Sequence, residues 1–271
     1  MPSSQAPASA CASCRCVWPS RPALLARLLA CLVLSLAQAP ASAQDYEREA
    51  RTEQETLATL DFGEAVRLEQ ANQHRFLGLY LRAPNERGAV VIAHGRGWSP
   101  NYDLYGDLRV RLADAGYSTL AIQMPVLPSS AKIGDYLPIF PDSDERLSVA
   151  VAWLRGKGST KVAIVSHSLG ATMANHYLIN APRVPVDAWV FISIINGLED
   201  MFRIRIPMLD VYGGEDWDVT RFGADERRNQ ILQIPGSRQV MIAQGKHFFD
   251  GRREELARVI ADFLEQAMVR P

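Results

Sequence analysis

The stretch KVAIVSHSLGATMANHYL, Lys161 to Leu178, passes from an apolar, β-branched run into a helix-like one through Ser166-His167-Ser168-Leu169-Gly170. A serine at a tight strand-to-helix turn can present its hydroxyl as a nucleophile when the residues two positions either side are small. Ser168 meets that condition, with Gly170 after it and Ser166 before it, where a glycine is usual. Serine is among the smallest alternatives to glycine, so the substitution reads as tolerated. Ser166 is itself a poor nucleophile. In its own frame the bulky Ile164 would stand two positions before it, and Ser168 would occupy the second glycine's place.

A hydroxyl becomes nucleophilic when a base takes its proton, and that base needs a carboxylate to orient it. After an elbow serine, the order expected along the chain is acid, then histidine. Two histidines lie downstream. His176 falls two turns into the helix and reads as structural. His247, in MIAQGKHFFDG after the last strand-like run, is the candidate base. The segment PMLDVYGGEDWDV offers Asp210, Glu215, Asp216 and Asp218. Asp216, just past the Gly-Gly turn, is the favoured acid, and the other three remain alternatives. An oxyanion needs donors already in place. One is the backbone N–H of Leu169, at a helix N-terminus where the dipole is positive. The second is expected from His94-Gly95-Arg96-Gly97, with the N–H of Arg96 first and Gly97 as the alternative. His94 reads as a brace for that loop, His167 as a packing or hydrogen-bonding neighbour, and His74 carries no signal.

These residues need a frame that brings distant turns to one edge. The periodicity supplies it. Strand-like runs occur at 75–82, 89–94, 118–124, 161–166, 188–194, 207–213 and 238–243. Helical spacing appears at 103–115, at Leu147, Ala150, Val151 and Leu154, and along the last helix at Leu256, Val259, Ile260, Phe263 and Leu264. Short apolar runs alternating with amphipathic helices imply an α/β fold, a mostly parallel sheet with helices on both faces. In such sheets chemistry gathers at the carboxyl ends of the strands, and each candidate residue above follows a strand.

The first 43 residues have a different character. They hold Arg15, Arg21 and Arg27, no acid, the apolar run LLACLVLSLA and then Ala41-Ser42-Ala43. This reads as a signal peptide, residues 1–43, cut before Gln44. The run is about half the length that a transmembrane helix needs, so no such helix is expected once the segment is removed. Its removal takes the formal charge from −1 to about −4, and takes with it all four cysteines, Cys11, Cys14, Cys16 and Cys31. The remainder then needs neither disulfide nor thiolate chemistry. The charge gives no reason to expect nucleic acid as a partner. Residues 44–72 read as an N-terminal helical and extended segment, and 73–271 as the main domain.

With HGRG, SHSLG, YGGEDWDV and GKHFF in this order, the chain resembles the α/β-hydrolase superfamily over about residues 75–267. More narrowly, AHGRGWSPNYD, LAIQMPVLP and SHSLGATMA resemble a bacterial family of exported α/β-hydrolase-like proteins of unknown function. The departure from the superfamily pattern is Ser166. The resemblance implies an exported serine hydrolase, periplasmic or secreted, acting on a small acyl substrate through Ser168, Asp216 and His247. No metal or organic cofactor is implied, and no His-Glu-x-x-His pattern or Gly-rich phosphate loop is present. Only about a dozen residues, 195–206, separate two late strands, so no substantial cap domain is expected there. The longest stretch read as non-helical, Pro125 to Asp144, is expected to place Leu127, Tyr136, Leu137, Ile139 and Phe140 as an apolar wall beside Ser168. Two other readings stay open: a scaffold that binds a ligand or protein without turnover, and an acyltransferase using the same triad.

Overall fold

The computed structural model describes residues 44–180, 184–195 and 198–269. The segment expected to be a signal peptide lies outside them. Helix α1 (Tyr46–Ala58) leads into β1 (Glu64–Glu69) and β2 (Arg75–Leu81), then β3 (Gly88–Ala93), α2 (Leu104–Asp114) and β4 (Tyr117–Ile122). A 3-10 turn (Ile133–Ile139) runs into α3 (Phe140–Gly156), followed by β5 (Val162–His167), α4 (Leu169–Ile179) and β6 (Ala188–Ile192). The chain closes with β7 (Met208–Gly213), short helices α5 (Asp218–Phe222) and α6 (Ala224–Ile231), β8 (Arg238–Ile242) and α7 (Arg253–Leu264).

The eight strands form one sheet in the order β1-β2-β4-β3-β5-β6-β7-β8. The β1–β2 and β2–β4 pairs are antiparallel, and every later pair is parallel. Side chains alternate across a strand, and the central strands are apolar on both faces. In β3, Ala89, Val91 and Ala93 enter one core layer, and Val90 and Ile92 enter the other. In β5, Val162 and Ile164 join the first layer, and Ala163 and Val165 the second. Helices α3 and α4 cover the first face with Leu147, Ala150, Val151, Leu154, Met173 and Ala174. Helices α2 and α7 cover the second with Leu108, Leu112, Ile260 and Phe263. This is the layered α/β arrangement that the periodicity implied.

The N-terminal segment is tied firmly to the rest. Arg146 of α3, fully buried, grips Glu49 of α1 with Nη1 to Oε1 and Nη2 to Oε2, each 3.0 Å. Its Nε donates to Gln70 at 3.0 Å, and Nη1 also reaches the Gln123 carbonyl at 2.9 Å. Arg48 of α1 donates to the carbonyls of Leu127 at 2.5 Å and Gly97 at 3.1 Å, so α1 also clasps the loop that follows β3. Between β6 and β7, the described residues form only the 3-10 turn Met201–Arg203. Among the described residues no helix is long and apolar enough to cross a membrane.

One expectation needs correction. Pro125 to Asp144 is largely helical, because the 3-10 turn occupies 133–139 and α3 begins at Phe140. Pro141 stands in the first turn of α3, where its missing N–H costs nothing. Leu127, Tyr136, Ile139 and Phe140 are buried in the core layer beside α3 and α4, and Leu137 is exposed to solvent. Apolar packing against the helices has claimed four of the five side chains, and they do not form an open wall.

Candidate active site

The elbow is built by strain and close approach. Ser168 lies between β5 and α4 with φ 55° and ψ −126°, a backbone conformation that costs a non-glycine residue energy and concentrates at functional sites. Gly170, two residues later, sits against the end of β3. A Cβ there would stand 2.3 Å from the His94 carbonyl oxygen and 2.7 Å from that of Ala93. The second small position is therefore obligatory. The first is not. Ser166 is buried on the β5 face shared with Ile164, beside Trp189 of the neighbouring β6, where its Oγ accepts the Trp189 indole N–H at 2.9 Å and donates to the Val190 carbonyl at 3.2 Å. Its hydroxymethyl group satisfies a buried tryptophan, and serine in place of glycine serves packing.

Ser168 Oγ lies 3.1 Å from His247 Nε2, and His247 Nδ1 lies 2.8 Å from Asp216 Oδ1. The three residues come from the ends of β5, β7 and β8, 79 and 31 positions apart along the chain as the two bonds join them. Asp216 is placed by the Gly213-Gly214 turn. A Cβ at Gly213 would meet the Gly245 carbonyl oxygen at 2.0 Å, and one at Gly214 would meet that of Ala243 at 2.2 Å. Bonds from Gly214 N to Ile242 O and from Glu215 N to Gly245 O hold the acid turn against the histidine loop. Two of the alternative acids are engaged elsewhere. Asp210 is buried against Arg227 at 2.8 Å, and Asp218 pairs with Arg221 at 2.6 Å. Burial alone would raise the Asp216 pKa. Bonds donated by His247, by the Ser193 hydroxyl and by the Trp217 N–H outweigh burial and hold it below the usual carboxylate range. The indole of Trp217 lies parallel on the His247 imidazole, with centroids 3.6 Å apart and an interplanar angle of 9°.

The N–H groups of Leu169 and Arg96 have no hydrogen-bond partner among the described residues. The loop that carries Arg96 lies against the serine, because a Cβ on Gly95 would come within 3.1 Å of the Ser168 Cβ. His94 braces this loop as expected. Its Nδ1–H donates to the Gly95 carbonyl at 2.8 Å, and its Nε2 accepts the Met124 N–H at 2.9 Å. His176 binds Asp144 at 2.9 Å, away from the triad.

Three contributors were not visible in the sequence reading. Ser193 just after β6 and Trp217 beside the acid both touch the triad. Tyr105 of α2 binds Gly95 and His167. A polar residue ending the apolar run AWVFI is a weak signal for Ser193. The other two depend on contacts between remote segments.

Two buried histidines give the site a pH signature. Burial lowers His94 to a pKa of about 4. Burial, with the nearby charge of His247, lowers His167 to about 3. A histidine whose folded pKa is depressed contributes full stability above its unfolded value and loses it as pH falls through that value. Thermal unfolding is therefore expected to be flat from pH 8 to 7 and to decline from about pH 6.5 downward. At pH 5 each histidine withdraws up to ~2 kcal/mol, and the two together lower Tm by roughly 10 °C for a domain of this size. A melting temperature constant from pH 7 to 5 would contradict this burial.

The eight-stranded, mostly parallel sheet, the strained serine at its central strand end and the acid and histidine on later strand ends make up the α/β-hydrolase fold. The chain is 28% identical over 186 residues to ABHD14B of Rattus norvegicus, which is named as a candidate protein-lysine deacylase; the match covers 66% of this chain and 84% of that one. Among solved structures, a dienelactone hydrolase of Anabaena variabilis is similar with a TM-score of 0.61 and 20% identity, covering 76% of this chain and 97% of that one. A lidless α/β serine hydrolase of Xanthomonas campestris gives a TM-score of 0.63 at 15% identity, covering 78% and 98%. An esterase of Pyrococcus furiosus gives 0.62 at 15% identity, covering 76% and 92%. At such identities the structural likeness is one of fold. No protein-family model matches the chain.

Proposed function

We propose that the protein is a serine hydrolase that cleaves an ester or related acyl bond through an acyl-enzyme on Ser168. The observation that carries this reading is the continuous bond chain from Ser168 Oγ through His247 to Asp216, at 3.1 and 2.8 Å, on a serine held at positive φ. In this mechanism His247 takes the hydroxyl proton as Ser168 attacks a carbonyl carbon. Asp216 holds the Nδ1–H tautomer and stabilises the imidazolium. The N–H groups of Leu169 and Arg96 receive the oxyanion. The proton then passes to the leaving group, and a water activated by His247 releases the acid. The name of the rat relative favours a second substrate class, acyl-lysine amides, cleaved by the same steps. Export through residues 1–43 belongs to the proposal as well, and so does action in the periplasm or outside the cell.

The test is covalent. A fluorophosphonate probe is expected to label protein comprising residues 44–271 at Ser168, identified by peptide mass. A panel of aryl and alkyl esters beside an acyl-lysine peptide, with and without an alcohol acceptor, then separates ester hydrolysis, deacylation and acyl transfer. Folded protein that neither labels nor turns over any member would favour a ligand-binding scaffold.

A further inference from the structure

One run of hydrogen bonds crosses the site without touching a reacting atom. The Gly95 N–H donates to the Tyr105 hydroxyl at 2.9 Å. That hydroxyl lies 2.8 Å from His167 Nδ1, and His167 Nε2 lies 2.8 Å from the His247 carbonyl oxygen. The direction of every proton follows. The Tyr105 oxygen accepts from Gly95, so its own proton goes to His167 Nδ1. His167 must then carry its proton on Nε2, and donates it to His247. Tyr105 and His167 are buried, and so is Gly95, so water cannot replace a lost member without cost.

Each end of this run is mechanically important. Gly95 packs on Ser168 and immediately precedes Arg96, whose N–H is the second oxyanion donor in the reading above. The His247 carbonyl belongs to the residue whose imidazole faces Ser168. The run thus spans from the loop after β3, through α2 and the residue before the nucleophile, to the loop after β8. Apart from it, those two loops meet through the rings of Trp98 and Tyr102 on Phe248 and, at their far ends, through the Arg253–Asp103 ion pair at 2.6 Å.

We propose that Tyr105 and His167 are positioning residues that set the separation of the oxyanion loop and the histidine loop across Ser168. This rests on the serine-hydrolase reading. It adds that the residue preceding the nucleophile acts through the backbone of the catalytic histidine and takes no proton from substrate. A displacement of either loop by a fraction of an ångström lowers transition-state stabilisation and leaves ground-state binding nearly unchanged.

Tyr105→Phe keeps the ring and removes the hydroxyl. It is expected to lower kcat roughly 10- to 100-fold with KM within about threefold, measured well below the variant's Tm. His167→Leu is expected to match it, and the double variant to be little worse than either, because both break one run. His167→Gln, which retains a donor and an acceptor, is expected to recover part of the loss and serves as the test if Tyr105→Phe fails to fold. Variants with lowered Tm but wild-type kcat would overturn the positioning role, as would a loss confined to KM or strictly multiplicative effects in the double variant. Fluorophosphonate labelling of the wild type keeps the two ideas apart. If the wild type labels and the variants label equally fast, the positioning proposal alone falls. If the wild type does not label, the hydrolase reading falls and the positioning proposal with it.

Discussion

Replacing Ser168 by alanine is expected to reduce ester turnover by roughly a million-fold and to abolish fluorophosphonate labelling, while leaving the fold in place. Alanine removes one oxygen, the atom 3.1 Å from His247 Nε2, and keeps the Cβ that packs near Gly95. Alanine bears the same strain as serine at φ 55°, so the change adds no conformational cost. The donors at Leu169 and Arg96 survive, so a residue of catalysis over water is expected to remain from binding and oxyanion stabilisation. Asp216→Asn is expected to be milder, on the order of 10⁴-fold, because it leaves Ser168 and His247 in place and disturbs chiefly the imidazole tautomer. Initial rates on one activated ester, with circular dichroism to verify folding, check both variants. Activity of Ser168→Ala within tenfold of wild type would refute the mechanism and transfer attention to Ser166, whose hydroxyl the fold turns to Trp189 and the Val190 carbonyl.

Much of this site could be read from sequence because each piece follows a strand. An apolar run such as KVAIVS announces a buried strand whichever partner it acquires, and the residue that ends it inherits a place at the sheet's carboxyl edge. That reasoning located Ser168, Asp216 and His247, which the structure brings within hydrogen-bonding distance. It also favoured Asp216 over Asp210, because Asp210 falls inside a strand; in the structure Asp210 pairs with Arg227. The apolar wall could not be judged in the same way. Leu127, Tyr136, Ile139 and Phe140 have the composition of a cavity lining and of a core alike, and only the packing of α3 against α4 decides between them. Prolines also concealed the helix beginning at Phe140, since Pro141 is compatible with a first turn. Tyr105 was invisible for a different reason. Its partner His167 is 62 residues away, and nothing local to either announces the bond. The same holds for Arg146 and Glu49, 97 residues apart, which anchor the N-terminal helix whose Arg48 holds the loop after β3.

Gly170→Ala is expected to be the most damaging single-methyl change near the site. The added Cβ would lie 2.3 Å from the His94 carbonyl oxygen, 2.7 Å from that of Ala93 and 3.0 Å from the His94 carbonyl carbon. All three are backbone atoms, and no side chain can swing aside to admit it. Either α4 moves away from β3 or the start of the oxyanion loop moves away from α4. Overpacking of this kind costs about 2–4 kcal/mol, which would lower Tm by roughly 5–15 °C. The loop that must shift is the one leading to Arg96, so turnover by the folded fraction is expected to fall as well, by about 100-fold for a displacement approaching 1 Å. Gly156→Ala provides the contrast. Gly156 ends α3 with nothing within 4 Å of its added Cβ, so alanine there is expected to be neutral or to stabilise by up to about 1 kcal/mol through helix propensity. Thermal melts and initial rates of the two variants side by side separate a general cost of losing glycine from a specific contact between the elbow and the oxyanion loop. Equal, mild effects at both positions would mean that α4 does not press on the end of β3, and the steric requirement for a small residue after Ser168 would have to be abandoned.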